Sequence, residues 1–303
     1  MSMDFSGRVA IVTGAGGGLG RCHAIELARR GARVVVNDFG GARDGTGGGS
    51  EMADAVVEEI RSAGGEAMSS PASVTDAQAV EDTVRQALDA WGRVDILINN
   101  AGILRDKSFA KITLEDFLEV LQVHLMGSVI CTKAVWPHMV EAGYGRIVMT
   151  SSPSGLYGNF GQTNYGAAKL GLVGLVNTLK LEGQKYDIRS NALAPVALTR
   201  MTEELMPEDM HERILPEYVT PGVIFLCSED APSGAVLSAG AGVFACAAMH
   251  ESLGVNLGIG EGLTAEQVAE RWEQISDFDG ARRLNFGGEQ LIKFFERIEQ
   301  QPA

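Results

Sequence analysis

Short runs of β-branched and apolar residues alternate with amphipathic stretches over the first two hundred residues of the chain. Such runs are typical of strands buried on both faces, and the stretches between them have the spacing of helices. Strand and helix in alternation form right-handed crossovers between parallel strands. The pattern therefore predicts an α/β fold on a doubly wound parallel sheet, whose ligands bind at the carboxyl ends of the strands. The predicted strands are 8–13, 32–38, 94–100, 145–151 and 188–195, and GAGV at 240–243 is assigned to the last core strand.

The 303 residues are predicted to form one domain, 1–248, with a substrate lid at about 196–217 and a C-terminal helical extension over 249–303. In the extension, Thr264 and Gln267 have the spacing of a capping box. Two amphipathic faces follow, which must cover either the core or a partner subunit. They consist of Val268, Trp272 and Ile275 in one helix and Leu291, Phe295 and Ile298 in the next.

The composition excludes several classes of function. A net charge of −14 argues against nucleic acid as a partner, because a phosphate backbone needs a basic surface. No apolar run reaches the roughly 18 residues of a membrane span, and no signal peptide is visible, so we expect no membrane segment and a cytoplasmic protein. The four cysteines show no metal-ligand spacing, so we expect buried structural thiols and no metal. They are Cys22, Cys131, Cys227 and Cys246.

The first candidate binding motif is TGAGGGLG, Thr13 to Gly20, which follows the first strand and opens the first helix. It fits the pattern TGxxxGxG through Gly14, Gly18 and Gly20, with Leu19 between the last two. Glycines let the backbone approach a pyrophosphate, and the helix N-terminus behind them offers free N–H groups and a positive dipole end. The alternative is a tight strand-to-helix turn without a ligand.

Asp38 ends the second predicted strand, about twenty residues past the glycines, where a carboxylate can bind both hydroxyls of an adenosine ribose. A 2′-phosphate would meet like charge there, so Asp38 favours NAD over NADP, although Arg43 lies close in sequence. The run Gly40 to Gly49 is interpreted as a flexible insertion before the next helix, which Ser50 is predicted to cap.

The candidate catalytic residues lie in TSSPSGLYGNFGQTNYGAAK. Tyr165 and Lys169 stand one helical turn apart and so project from the same face. A phenol with a pKa near 10 is a poor base at neutral pH, and a nearby ammonium and an oxidised nicotinamide would both stabilise the phenolate. Ser152, directly after the predicted strand 145–151, can hydrogen-bond the reacting oxygen. Taken alone, YxxxK would indicate no more than a solvated helix.

With NNAG at 99–102, these motifs make the chain resemble the short-chain dehydrogenase/reductase family across residues 6–246. The resemblance implies a Rossmann-type sheet, Tyr165 as general base, Lys169 lowering its pKa and binding the nicotinamide ribose, and Ser152 orienting the substrate oxygen. The implied cofactor contacts are Gly14, Gly18, Leu19, Gly20, Asp38, Val74, Asn100, Gly102, Tyr165, Lys169 and Thr199.

Longer matches, from VVVNDFGGARDGTGGGSEMADAVVEEI to PEYVTP, resemble the (3R)-hydroxyacyl-CoA dehydrogenase unit of peroxisomal multifunctional enzymes and stand-alone actinobacterial relatives. This implies NAD-dependent interconversion of (3R)-3-hydroxyacyl-CoA and 3-oxoacyl-CoA, a homodimer or homotetramer whose extensions help complete the substrate sites, and a separate enoyl-CoA hydratase upstream. The alternatives are a 17β-type hydroxysteroid or sterol side-chain acyl-CoA dehydrogenase and, from another class, a non-catalytic NAD-binding subunit or sensor.

Three positions depart from the family pattern. His124 replaces the usual active-site Asn, as it does in the hydroxyacyl-CoA subgroup; it acts through its backbone carbonyl, packs in a helix or takes part in a proton relay. Ala72 replaces an Asp expected to bind adenine, and 194–199 lacks a glycine after its proline.

The substrate side carries two further candidate features. The segment after the predicted strand 188–195 is expected to form either a flexible apolar surface suited to an acyl chain or an ordinary core helix. Its apolar residues are Met201, Leu205, Met206, Met210 and Ile214. Arg105, Lys107 and Lys111 are candidates for a basic rim that binds the CoA phosphates, with solvated loop charges as the alternative.

Overall fold

The computed structural model describes residues 3–199, 208–260 and 262–300. Its strands are β1 Val9–Thr13, β2 Arg33–Asn37, β3 Glu66–Ser70, β4 Ile96–Asn99, β5 Gly145–Thr150, β6 Ile188–Val196, β7 Val236–Gly240, β8 Val243–Ala247, β9 His250–Glu251 and β10 Arg282–Arg283. Its α-helices are α1 Gly18–Arg29, α2 Glu51–Ser62, α3 Ala77–Trp91, α4 Leu114–Leu121, α5 Gly127–Ala142, α6 Pro153–Tyr157, α7 Thr163–Gly183, α8 Thr220–Cys227, α9 Ala265–Glu270, α10 Trp272–Ile275 and α11 Gly287–Gln300.

Eight strands form one sheet in the order β3-β2-β1-β4-β5-β6-β7-β8, and the pairs from β3 to β7 are parallel. The predicted α/β fold with a doubly wound sheet is therefore confirmed. The chain runs outward from β1 to β3 and then returns to the other side of β1 as β4. This reversal opens a crevice at the carboxyl ends of β1 and β4, which is where ligands bind in open parallel sheets.

The hydrophobic core explains why the strands read as unbroken apolar runs. Side chains of β1, β2 and β4 pack against α1, α2 and α8, and most are fully buried. Each such Val, Leu or Ile contributes about 1.5–3 kcal/mol on burial. Representative members are Val12, Val34, Val36, Ile96, Ile98, Leu27, Ile60 and Val223.

The structure corrects two strand assignments. β3 was not predicted, because its sequence EAMSS has no β-branched residue. GAGV is not a core strand: Ala241 and Gly242 have positive φ and form the turn between β7 and β8.

Two local predictions hold only in part. Ser50 occupies the predicted N-cap position of α2, but its side chain makes no capping hydrogen bond. Of the four cysteines, Cys131 and Cys227 are buried, whereas Cys22 is half-buried and Cys246 is exposed.

The chain divides into two compact units, Met1–Cys246 and Ala247–Ala303. In the second, Thr264 and Gln267 form the predicted capping box. A buried ammonium, that of Lys293, contacts Glu251 and the carbonyl oxygen of Ser252. The two predicted amphipathic faces are largely exposed in the single chain.

One helix among the described residues, Leu114–Ala142, is long and apolar enough to cross a membrane by length and composition. It consists of α4, a π-helical turn over Gln122–Met126, and α5. This helix flanks the sheet, since α5 packs against β4 and β5 and α4 packs against α7.

Candidate active site

The glycine-rich loop between β1 and α1 folds so tightly that some of its positions have no room for a side chain. Gly14 has a φ of +63°, and a Cβ there would lie 2.8 Å from the Cα of Ala101. A Cβ on Gly20 would overlap the carbonyl oxygen of Gly14. Helix α1 begins at Gly18 without a side-chain cap on its N-cap residue, Gly17. Its first N–H groups and positive dipole end therefore suit a pyrophosphate.

Asn100 fixes the shape of this loop from the end of β4. Its side-chain amide donates to the carbonyl oxygens of Thr13 and Gly14 at 3.1 and 3.0 Å. The hydroxyl of Thr13 accepts the backbone N–H groups of Asn100 and Ala101 at 3.0 and 3.1 Å. Asn100 thus lies in the predicted crevice, where its amide organises the loop.

Asp38 directly follows β2 and faces the same loop. Its Oδ2 accepts the N–H of Gly16 at 2.7 Å, and its Oδ1 accepts the N–H of Gly40 at 2.8 Å. A carboxylate has about four acceptor sites, so two remain for ribose hydroxyls. A Cβ on Gly16 would lie 2.8 Å from Oδ2, so this glycine permits the approach of the carboxylate.

Three more of the predicted cofactor contacts occupy this region in different ways. The Cγ2 of Thr199 lies 3.3 Å from the position of a Cβ on Gly18, so Thr199 adjoins the start of α1. Val74 is buried against Gly127 of α5. The side chain of Leu19 packs against the core, so only its backbone can face a ligand.

The structure brings Ser152, Tyr165 and Lys169 together where β5 ends and α7 begins. Ser152 is the N-cap of α6, and its hydroxyl lies near enough to the Tyr165 phenol to lower the pKa of that phenol. Lys169 Nζ lies 5.4 Å from the Tyr165 ring centroid and donates to the carbonyl oxygen of Thr150 at 2.5 Å. Gly155 lets α6 approach α7, since a Cβ there would lie 2.7 Å from the Cβ of Lys169.

Burial dominates the protonation of these groups. Burial raises the pKa of Tyr165, while the hydrogen bond from Ser152 lowers it and the charge of Asp106 raises it. Burial also lowers the pKa of Lys169 from 10.5 to about 7. The lowering of the Tyr165 pKa by Lys169 stays a prediction, and it requires Lys169 to be protonated.

His124 lies in the middle of the π-helical turn, and π-turns are frequent at functional sites. Its Nε2 is 2.8 Å from the carbonyl oxygen of Ile103 and 3.1 Å from the backbone nitrogen of the same residue, so it donates to the first or accepts from the second according to its tautomer. The other ring nitrogen, Nδ1, has no hydrogen-bond partner among the described residues. A Cβ on Gly102 would overlap the ring, so this glycine makes room for the imidazole.

The His124 ring meets the edge of Tyr165, with centroids 5.2 Å apart at 87°. Burial and the neighbouring Lys169 hold the pKa of His124 well below its usual value, against a smaller opposite effect of the bond to Ile103. The imidazole is therefore neutral at physiological pH. Its backbone carbonyl accepts the hydroxyl of Ser128 at 2.7 Å. His124 thus combines packing with an unpartnered ring nitrogen beside Tyr165.

The predicted basic rim is partly neutralised. Asp116 accepts Arg105 Nη1 at 3.2 Å and Lys107 Nζ at 2.8 Å. Arg105 is half-buried, whereas Lys107 and Lys111 are exposed. Of the three cations, the two lysines are therefore the better placed to meet a soluble anion.

The predicted apolar lid is only partly visible, because Met201, Leu205 and Met206 lie outside the described residues. Met210 is exposed, but Ile214 is 3% exposed and its carbonyl accepts the N–H of Leu198 at 2.6 Å. Ile214 therefore belongs to the core and not to a substrate surface.

Exposed aromatic residues lie instead between Ser152 and Tyr165: Tyr157 is 75% exposed and Phe160 is 91% exposed. Sequence reasoning overlooked them, although aromatic residues in a glycine-rich loop were a visible signal. The following Gly161 accepts the backbone N–H of Lys107 at 3.0 Å. This contact ties the aromatic loop to the segment after β4.

The sequence also provided no indication of the roles of Gln162 and Asp106. Gln162, the N-cap residue of α7, donates to Asp106 Oδ2 at 2.6 Å, which brings a carboxylate near Tyr165. A pair 56 residues apart carries no sequence signal.

Comparisons with known proteins agree with this architecture. The family model for short chain dehydrogenases matches residues 8–210. A short-chain type dehydrogenase/reductase of Mycobacterium tuberculosis is 51% identical over 280 residues, which cover 92% of this chain and 97% of that protein.

Two solved structures are similar in fold. Peroxisomal multifunctional enzyme type 2 of Drosophila melanogaster gives a TM-score of 0.82 at 38% identity, covering 98% of this chain. The chain spans 50% of the length of that protein. A 7α-hydroxysteroid dehydrogenase complexed with NADH and 7-oxo glycochenodeoxycholic acid gives 0.71 at 29% identity, covering 79% of this chain and 95% of that one.

Proposed function

The chain belongs to the short-chain dehydrogenase family and is an oxidoreductase acting on a CH–OH group, and from that premise we propose that it interconverts (3R)-3-hydroxyacyl-CoA and 3-oxoacyl-CoA with NAD. The observation that carries the reaction type is the cluster in which the Ser152 hydroxyl and the Lys169 ammonium adjoin the side chain of Tyr165. The substrate class is supported by the resemblance to hydroxyacyl-CoA dehydrogenase units and by the similarity to the Drosophila enzyme.

The crevice residues fit a nicotinamide dinucleotide. The glycine loop offers close backbone approach and the N-terminus of α1 to a pyrophosphate. The free acceptor sites of Asp38 suit ribose hydroxyls, and its charge opposes a 2′-phosphate, which favours NAD over NADP. The similar hydroxysteroid dehydrogenase, solved with NADH, supports the same class of cofactor.

An oxidised nicotinamide, when bound, supplies the acceptor for the hydride that leaves C3 of the substrate, and a positive charge. Ser152 donates a hydrogen bond to the reacting oxygen and orients it. Tyr165, as phenolate, takes the hydroxyl proton as the C3–H bond breaks. Because burial raises the pKa of Tyr165, the phenolate forms only when positive charge adjoins it. Lys169, buried and held by Thr150, supplies part of that charge once it is protonated.

Exposed Tyr157 and Phe160, which lie in the segment between Ser152 and Tyr165, provide an apolar surface that suits an acyl chain. Lys107 is the candidate contact for the CoA phosphates. Lys107→Glu should raise the KM for a CoA thioester and leave that for the short pantetheine analogue unchanged, while equal effects on both would contradict a phosphate contact.

The substrate class is tested by NADH formation with (3R)- and (3S)-3-hydroxyacyl-CoA of several chain lengths, and with NADP in place of NAD. We expect activity with the (3R) isomers and NAD. Turnover restricted to the (3S) isomers, or a preference for NADP, would overturn the proposal.

A hydroxysteroid or sterol side-chain substrate is the second candidate, because the similar 7α-hydroxysteroid dehydrogenase was solved with a steroid. A 17β-hydroxysteroid in the same panel distinguishes the two. A third reading, a non-catalytic NAD-binding subunit, is favoured only if no alcohol in the panel is oxidised although NADH binds.

We also propose a cytoplasmic homodimer or homotetramer, supplied with substrate by a separate enoyl-CoA hydratase. Exposed apolar faces on α9 to α11 support association, since surfaces of this kind mark interaction sites. Light scattering measures the mass, and a monomer at micromolar concentration would contradict this assembly.

A further inference from the structure

The glycine-rich insertion after β2 is a closed loop with its own hydrogen bonds. We name residues 39–49 the strap. The ends of the strap meet, because the N–H of Gly49 donates to the carbonyl oxygen of Phe39 at 2.8 Å. Inside the strap, Ala42 donates to the carbonyl oxygen of Thr46 at 2.7 Å, and the carboxylate of Asp44 accepts both the N–H and the hydroxyl of Thr46. The strap therefore has a defined shape despite its glycines.

The tip of the strap is attached to the segment that follows β4. The carbonyl oxygen of Arg43 accepts the N–H of Leu104 at 3.0 Å. The carbonyl oxygen of Asp44 accepts Nε of Arg105 at 3.1 Å. Gly45 packs against Ile103, because a Cβ on Gly45 would lie 3.2 Å from Ile103 Cγ2.

Sheet order makes this attachment significant. In the order β2-β1-β4, the strap begins at the end of β2 and is fastened beyond the end of β4, with β1 between them. The glycine-rich loop lies at the end of β1, and Asp38 immediately precedes the strap. The strap thus reaches across the edge of the sheet at which a dinucleotide fits.

Arg105 contributes a side-chain hydrogen bond to this attachment, and it also reaches the catalytic helix. Its Nη1 pairs with Asp116, and its carbonyl oxygen accepts the Asn164 amide at 3.2 Å. Asn164 is fully buried, and its Oδ1 accepts the N–H of Tyr165 at 2.8 Å. Arg105 therefore joins the strap to the start of α7.

We propose that Arg105 is a positioning residue that latches the strap across the dinucleotide crevice, so that the latch controls the entry and release of the cofactor. The proposal rests on the cofactor class given above and not on the identity of the alcohol substrate. It also replaces the predicted role of Arg105 as a contact for CoA phosphates.

The test is the rate at which the dinucleotide leaves the protein, measured by stopped-flow fluorescence without any alcohol substrate. Arg105→Met removes the bond to Asp44 and leaves the backbone contact with Asn164. Arg85→Met is the matched control, because Arg85 also pairs with an aspartate, Asp82, but lies on α3 and has no described contact with the strap. We expect Arg105→Met to speed NADH release about tenfold, as for one charge-assisted hydrogen bond, and Arg85→Met to leave it unchanged.

A second variant removes the strap itself. Gly40 and Gly49 lie against each other, so residues 41–48 can be excised and the ends joined. Release should be fast in the excised protein, and Arg105→Met should not accelerate it further. Equal release rates in the two point variants, or an equal effect of Arg105→Met with and without the strap, would overturn the latch.

The two proposals fail in different measurements. Should the protein bind NADPH instead of NADH, the same release experiment is performed with NADPH. A failed hydroxyacyl-CoA assay contradicts the proposed substrate, whereas unchanged dinucleotide release in Arg105→Met contradicts the latch.

Discussion

Replacing Lys169 by methionine should stabilise the fold while abolishing the reaction. Lys169 is buried, and its ammonium donates a hydrogen bond to the backbone carbonyl of Thr150. Methionine has a similar length and no charge to desolvate. A site that keeps an ammonium in the protein interior sacrifices stability for function.

The size of the effect follows from the pKa of Lys169, which burial lowers from 10.5 to about 7. The difference of about 3.5, at about 1.4 kcal/mol for each pKa unit, gives about 5 kcal/mol for keeping the charge in the folded protein below pH 7. The variant leaves the Thr150 carbonyl without this donor, which costs about 1–3 kcal/mol. We therefore expect a net gain of about 2–4 kcal/mol in the free energy of unfolding at pH 6.

The gain should also depend on pH in a defined direction. Between about pH 7 and 10.5 the unfolded chain still holds a proton on this lysine that the folded protein has released. The free energy of unfolding of the unchanged protein therefore rises with pH in this window. The advantage of the variant is largest below pH 7 and fades toward pH 10.5.

Urea denaturation of both proteins from pH 6 to 9, followed by tryptophan fluorescence, measures the difference. Lys180→Met is the matched control, because Lys180 lies on the same helix and is only half-buried. A Lys169→Met protein that is less stable at pH 6, or a difference that does not change with pH, would refute the reasoning.

Three further substitutions test the site. Gly102→Ala should destabilise the fold by about 1–3 kcal/mol in thermal unfolding, because its Cβ overlaps the imidazole beside Tyr165; an unchanged Tm would contradict this. Gly16→Ala places a Cβ 2.8 Å from Asp38 Oδ2 and should weaken NADH binding about tenfold in a fluorescence titration, with equal affinity as the contrary result. Ser152→Ala should move the acidic limb of the pH–rate profile to higher pH, because the Ser152 hydroxyl lowers the pKa of Tyr165 and its removal lets that pKa rise. A limb that stays in place or moves to lower pH would oppose this.

Much of the fold could be predicted because its signals are local. Buried parallel strands appear as apolar runs, and the glycine loop and the Tyr165–Lys169 spacing lie within single segments. β3 was not predicted because it has no β-branched residues, and its place in the sheet depends on pairing with β2. The turn at Ala241 escaped because glycines and small residues occur in both strands and turns.

Contacts between distant residues could not be predicted. The bond from His124 to Ile103 and the shared carboxylate of Asp116 depend on how loops meet after folding. The same holds for Arg105, whose charge suggested a substrate phosphate but whose contacts are with Asp44 and Asp116. The charge of a residue is evident from the sequence, but the partner that neutralises it can be identified only in the folded structure.

The central claim is that Tyr165 is the general base in the NAD-dependent oxidation of a (3R)-3-hydroxyacyl-CoA. The most direct measurement is the initial rate of NADH formation from this substrate by the unchanged protein and by Tyr165→Phe, with NADH affinity measured in both. We predict that Tyr165→Phe binds NADH as the unchanged protein does but forms none from the substrate. A Tyr165→Phe protein that still oxidises the (3R) isomer at a comparable rate would contradict the account.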